Sequence, residues 1–339
     1  MKSLFQYIME ATSVTTVLHT YMDNLDKLSI IRKQHFLTRL SMCDLPEAKD
    51  LSLSSGIDDV IKTTNDVLDM FKAKKYKDIV SKYVIIPYDG INKEKDKIKE
   101  WILSFDDEKT NHYFALGYLS EKLDIIERTD NVDKIKRWSE IYDYYDCIDD
   151  MVKFHNEDKM DCAHKCGTIY VNFIGNAYYV LKSQKLKFPK KIDINDWRRT
   201  RKIFSSMKDF NNISVYGVTH SIINGCRYYT KPLDKNEFIT ELDFLDDFLV
   251  EMAKNDYKIS GYVTLDLLCE SALCERLAND NKYSQWRKVL KHMDTLVDPK
   301  TNIIQSNNRF KDDVQKNLEN NEHTNILYIL LNSYKLNRK

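Results

Sequence analysis

The stretch Ile-Ser-Val-Tyr-Gly-Val-Thr-His (213–220), continued through Pro232 to Leu-Asp-Leu-Leu-Cys-Glu (265–270), puts titratable residues where a helix should be apolar. At about 100° per residue, Gly217, Asn224 and Arg227 all fall within roughly 60° of His220. The rest of that helix carries Val215, Val218, Ile222, Cys226 and Tyr229. A helix that is polar along one strip and apolar elsewhere is expected to be buried, with the strip facing a cavity. The second segment behaves alike. Asp266 and Glu270 share one face with Tyr262, Val263, Cys269, Leu273 and Leu277, whereas Thr264, Ser271 and Glu275 form the side expected to meet water. Like charges at i and i+4 repel by about 0.2–0.5 kcal/mol when exposed. Burial raises that cost unless something compensates. The pair therefore calls for a partner, with Arg227, His220 or a bound metal as candidates.

Working outward, the composition supports a helical reading of the whole chain. Eight Gly and five Pro in 339 residues are far too few for a strand-rich or loop-rich protein. The 21 tyrosines suit a large core that keeps hydroxyls for hydrogen bonding. Lys+Arg and Asp+Glu are both 52, so global charge gives no reason to expect nucleic acid or an anionic membrane as partner. Seven scattered cysteines suggest reduced thiols and a cytoplasmic location. No apolar run approaches the ~18 residues of a membrane span, and the N-terminus lacks the apolar core of a signal peptide.

The pattern predicts two helices within residues 1–45, a third from about Ser55 or Asp58 to Tyr83, and a turn at Pro87–Gly90. Further helices are expected at 112–127, 138–155, 161–182 and 196–210. The last five are placed near 213–229, 235–254, 261–278, 281–296 and 323–336. Hairpins of this spacing, with apolar helices alternating with amphipathic ones, suit an all-α two-ring α/α toroid, or alternatively an open α-solenoid. One helical domain spanning 1–339 is expected, with 1–90 a peripheral subregion.

The motifs Tyr216-Gly-Val-Thr-His220, Asp266-x-x-x-Glu270 and His323-Thr324, with Pro232 between the first two, resemble those of an uncharacterised group of bacterial all-helical proteins. That group reads aromatic-x-x-Thr-His, Asp-x-x-x-Glu and a C-terminal His-Thr, and the resemblance covers about 213–336. Its usual small residue before the Glu, often Ala, is Cys269 here. The resemblance implies a fold and a site location, with no activity to carry over.

His220, Asp266, Glu270 and His323 are the candidate catalytic residues, with Tyr216, Asn224 and Arg227 as candidate substrate contacts. Two imidazoles and a carboxylate suit zinc or ferrous iron, and without metal they suit general acid/base work. The competing reading is a buried ion-pair network, Arg227 with Glu270 and His220 with Asp266, that only fixes helix packing. Cys162-Ala-His164-Lys-Cys166 reads better as small residues at a helix start than as a zinc site. The basic run Trp197–Lys202, with lysines at 185, 187, 190 and 191, reads better as solvated helix charge than as an anion or nucleic-acid surface. Phosphate-loop, dinucleotide, hydrolase-elbow and His-Glu-x-x-His motifs are absent. Two functions remain: an enzyme acting on a small or peptide-like substrate, or a non-catalytic helical scaffold for a protein or peptide partner.

Overall fold

A computed structural model describes residues 4–45, 53–83, 212–258 (except 228 and 230), 264–306 and 313–334, with isolated positions between 115 and 210. The expected helices at 138–155 and 161–182, the turn at 87–90, the group 162–166, Tyr262, Val263 and the lysines at 185–191 lie outside them. Among the described residues every regular element is helical, and the only β pairing is two isolated bridges. None of these helices is long and apolar enough to cross a membrane.

Nine α-helices are described: α1 Leu4–Met22, α2 Ile30–Leu40, α3 Leu53–Lys72, α4 Tyr76–Tyr83, α5 Asn212–Gly225, α6 Ile239–Lys254, α7 Leu265–Ala278, α8 Trp286–Thr295 and α9 Val314–Ser333. Two expectations change at this level. The single helix expected up to Tyr83 is two, because Lys74 takes φ +55 between α3 and α4, a left-handed turn that no α-helix continues through. The last helix starts at Val314, well before 323, where the Asp313 side chain accepts the N–H of Lys316 as an N-cap.

The chain divides into two compact units: residues 1–56, 210–215 and 231–339, and residues 57–209 and 216–230. In the first, α7 is the centre. It packs against α6, α8 and α9, and α9 in turn packs against α1 and α2. Thr264 caps α7, accepting the Leu267 N–H at 3.4 Å, and Asn279 ends it in the left-handed conformation at φ 47. Because α7 has neighbours on every side, the face expected to meet water does not exist. Ser271 and Glu275 are fully buried. The Ser271 hydroxyl turns back to the Leu267 carbonyl at 2.8 Å, and Glu275 accepts the Trp286 N–H at 2.8 Å.

Helix α9 carries the polar run Glu319-Asn-Asn-Glu-His-Thr-Asn325 into this interior. Its asparagines are satisfied in sequence. Asn321 donates to Asn317 Oδ1 at 2.7 Å, and Ser306 donates to Asn321 Oδ1 at 2.9 Å. Asn325 donates to the Ile304 carbonyl and accepts the Ile304 N–H, both at 2.8 Å. That amide thus pairs with a backbone as a neighbouring strand would, and it fixes the small hairpin closed by the Val297–Ile304 bridge. Against α1, Tyr21 stacks on Phe36 at 5.1 Å and donates its hydroxyl to the Leu318 carbonyl.

In the second unit, Tyr83 stacks on Tyr118 at 5.7 Å, and Lys122 lies 4.9 Å above the Tyr118 ring. The described positions 115, 118, 119 and 122 are helical, as expected for 112–127. Gly217 of α5 faces the Phe204 ring so closely that a Cβ there would lie 2.5 Å from it. Arg201 is buried, which corrects the reading of its basic run as wholly solvated, whereas Lys202 next to it is exposed. Successive helical positions point about 100° apart, so one basic residue turns inward while its neighbour stays in water.

Candidate functional site

Tyr216, His220 and Asn224 sit on α5 in the second unit. Asn224 is fully buried, and the His220 Nδ1 lies 2.9 Å from the Tyr216 carbonyl, its ring 5.6 Å from that of Tyr216. The polar strip ends early. Helix α5 stops at Gly225, and Arg227 follows in a turn at φ 51, out of the helical phase assumed for it. At Gly217 the strip meets the Phe204 ring.

The other three residues belong to the first unit, and there the buried carboxylates find their partner. His323 Nε2 of α9 lies 3.3 Å from Glu270 Oε1 of α7. Asp266, one helical turn before Glu270, adds its charge to the field at His323. It also lies in the first turn of α7, where the helix dipole favours a carboxylate. Glu270 and Asp266 together drive the thiol of Cys269 well above its usual range, after the larger effect of burial. This cysteine is not a nucleophile at neutral pH.

The site extends to residues that sequence reading missed. His323 Nδ1 lies 3.2 Å from His35 Nε2 on α2, and His35 Nδ1 lies 2.8 Å from Glu322 Oε1. The second oxygen of Glu322 accepts from Arg32 at 3.4 Å. One row therefore runs Glu270, His323, His35, Glu322, Arg32. The signal for it was available in the run Glu319–Asn325, seven polar residues immediately before Ile-Leu-Tyr-Ile-Leu-Leu. Polar runs of that length ordinarily mark loops, which is why the helix was placed to start at 323.

The row constrains its own protons. With both carboxylates ionised, each ring donates one N–H outward to its glutamate, and one more hydrogen must lie between Nε2 of His35 and Nδ1 of His323. Three hydrogens on four ring nitrogens make one imidazole and one imidazolium that share a proton. Burial pushes the His323 value down, but the hydrogen bond from Glu270 and the charges of Glu270 and Asp266 outweigh it, so it ends above the ordinary value. Glu322 also titrates above the usual carboxylate range, because burial outweighs Arg32, His323 and Arg39.

Exposure divides the row into a floor and a rim. The side chains of Glu322 and Glu270 are 0% and 4% exposed, whereas Arg32, His35 and His323 are 15%, 16% and 17% exposed. Among the described residues no three His, Cys, Asp or Glu side chains are grouped to hold a metal ion. The donors of the row point at one another rather than at a common point. What the arrangement can do is hold and release a proton at its part-exposed edge.

A second titratable group lies at the other end of α7. Burial, then a hydrogen bond shared with Asp246, pushes Glu275 up to about 8, so it is protonated at neutral pH. The Tyr257 ring stacks on His292 at 4.8 Å, and burial and then the charge of Glu275 raise its hydroxyl.

No curated protein and no solved structure matches the chain. The model of one family, described as a domain of unknown function, matches residues 197–339. That stretch holds α5 to α9, and so Glu270, Glu322 and His323, but not the α2 residues Arg32 and His35. Over residues 197–339 the chain is similar to the DUF3541 family, a domain of unknown function.

Proposed function

We propose that the chain is an enzyme whose acid/base centre is the Glu270–His323–His35–Glu322 row, acting on a small or peptide-like substrate. The observation that carries this reading is the division of the row into buried carboxylates and part-exposed imidazoles. A carboxylate beneath an imidazole orients the ring and raises its basicity, and a part-exposed ring whose facing nitrogen turns from its neighbour to a substrate can exchange a proton with it. In this reading His323 is the acid/base group, with Glu270 orienting it through Nε2, and a substrate takes the place of His35 at its Nδ1 to receive or give the proton.

The test is turnover of a panel of chromogenic esters, amides, glycosides and phosphodiesters by the full chain and by His323→Gln and Glu270→Gln. Loss of the activity in both variants, with circular dichroism unchanged, supports the enzyme. Activity equal to the parent in either variant contradicts it.

A second reading, the non-catalytic scaffold, is favoured by one observation. All four ring nitrogens are engaged, and the polar contacts continue along the same interface to Glu319, whose carboxylate accepts the Ser29 N–H at the start of α2. In that case the row is a clasp between α2 and α9, and the two variants lower the melting temperature without touching any activity. We further propose the two-ring arrangement on helix spacing, a cytoplasmic location on cysteine usage, and a bacterial group on the resemblance of the motifs. His220 as a catalytic residue, and Tyr216, Asn224 and Arg227 as substrate contacts, remain proposals from the sequence pattern of their helix alone. A bound divalent metal has no support in the donor geometry of the described residues.

A further inference from the structure

We infer that His35 is an autoinhibitory contact: its ring occupies the Nδ1 of His323, and the centre opens when that one side chain turns towards solvent while α2 stays in place. The inference rests on the acid/base reading of the same site and adds how the site is held closed at rest. Its first ground is that His323 has no nitrogen to offer. Nε2 is taken by Glu270 at 3.3 Å and Nδ1 by His35 at 3.2 Å. Freeing Nε2 would take the imidazolium from Glu270, whose side chain is only 4% exposed. Nδ1 is therefore the working nitrogen, and His35 sits on it. The closing ring comes from α2, outside the matched residues 197–339 that hold Glu270 and His323.

The second ground is what can move and what cannot. Helix α2 is fixed along its length. At its start the Ser29 N–H donates to Glu319, and beyond its end the Asp44 N–H donates to the Ser333 carbonyl at 2.7 Å. Between these pins Phe36 and Leu40 are buried, with Phe36 stacked on Tyr21 at 5.1 Å. Swinging the whole helix away would expose that apolar face to water. The His35 side chain, by contrast, is 16% exposed and has a solvent-facing edge to turn towards. When it does, Glu322 keeps the Arg32 guanidinium at 3.4 Å and Glu270 keeps His323, so both buried carboxylates retain a cationic partner. Only the ring-to-ring contact and one hydrogen bond to Glu322 are given up, and a substrate group bound to Nδ1 replaces the first.

The experiment treats the full chain with diethyl pyrocarbonate at pH 7 and reads the rate at each histidine by peptide mass spectrometry. His19, which is exposed, is the internal reference. In the parent His323 should react far more slowly than His19, although its side chain is 17% exposed. In His35→Ala it should react at least about tenfold faster than in the parent, because a plugged nitrogen is available only in its open fraction. His35→Asn, too short to reach Nδ1 but able to pair with Glu322, guards against loss of fold and should behave alike. On the chromogenic panel kcat/KM should rise in both variants and return to background when His323→Gln is added, with circular dichroism unchanged. A parent rate at His323 equal to that at His19, or no acceleration in either variant, overturns the inference. Lower kcat/KM in the His35 variants, with turnover still dependent on His323, makes His35 part of the machinery and overturns this inference alone. Protection that the His35 variants remove, in a chain without His323-dependent turnover, supports the plug and sinks the enzyme reading.

Discussion

His323 Nδ1 stands 3.2 Å from His35 Nε2, although 288 residues separate them in the chain. The contact joins α2 to α9 inside one compact unit and turns two ordinary carboxylate–imidazole pairs into a single row. Because the rings share one hydrogen, neither side chain can be removed without changing the protonation of the other. His35→Ala and His323→Ala are therefore expected to be non-additive, with a coupling energy of about 0.5–3 kcal/mol in a double-mutant cycle read by urea unfolding. A sum of the two single effects contradicts the shared hydrogen.

Stability should fall as the solution becomes alkaline, and the sign follows from the direction of the shift. The folded value of His323 is raised. Its contribution is complete below the unfolded value of about 6.5 and is lost as pH rises through the folded value. His323→Gln should flatten this part of the profile and cost about 1–3 kcal/mol at pH 6, because Glu270 is left buried without its cation. An unchanged pH profile for the variant excludes the row as its origin.

Glu275 gives a slope of the same sign over a different window. Its folded value of about 8 lies above the ordinary carboxyl value of 4.5, so its contribution is complete below the latter and is gone once pH has risen through the former. Glu275→Gln keeps an acceptor for the Trp286 N–H and carries no charge. It should be more stable than the parent at pH 9, by a smaller margin at pH 6, and close to it near pH 4, as read by thermal melts. Glu275→Ala should lose about 2–4 kcal/mol near pH 4, through an unpaired buried N–H and a cavity, and less at pH 9.

Asn325→Leu tests the backbone-like pairing of the amide. The change leaves the Ile304 N–H and carbonyl buried without partners, at a cost of about 2–4 kcal/mol. Hydrogen exchange at the Ile304 amide should accelerate well before global unfolding. Exchange at the parent's rate means that the hairpin is held by something else.

Gly217→Ala tests the close approach on α5. Alanine gains up to about 1 kcal/mol of helix propensity, but its Cβ meets the Phe204 ring and overpacking costs about 1–3 kcal/mol. The net effect should be a lower melting temperature, restored when Phe204→Leu is added. A variant more stable than the parent shows that the ring moves aside freely.

The helical class, most helix positions and the need of Asp266 and Glu270 for a partner were legible because they follow from glycine and proline scarcity and from periodicity. The identity of that partner was legible in part. His323 was already among the candidates, and its pairing with Glu270 is what the structure adds. His35 and Glu322 were not, since α2 reads as an amphipathic helix like any other, and seven consecutive polar residues read as a loop. No local pattern announces a histidine that will meet another nearly three hundred positions away. Burial of Glu275 was illegible for a similar reason. Its face looked polar, and only the neighbours α6, α8 and α9 show that α7 has no outside. The strip through Arg227 failed because its phase assumed a helix that ends two residues sooner.

Long-range proton–nitrogen correlation of the His35 and His323 rings across pH 5 to 9 tests the row most directly. Nδ1 of His35 and Nε2 of His323 should stay protonated throughout, and the facing nitrogen of His323 should titrate in a single step displaced above the ordinary histidine value, sensed at the facing nitrogen of His35 at the same pH. Two independent steps near the usual value, or a ring whose outward nitrogen loses its hydrogen at neutral pH, would show that no proton is shared and that the proposed centre is not there.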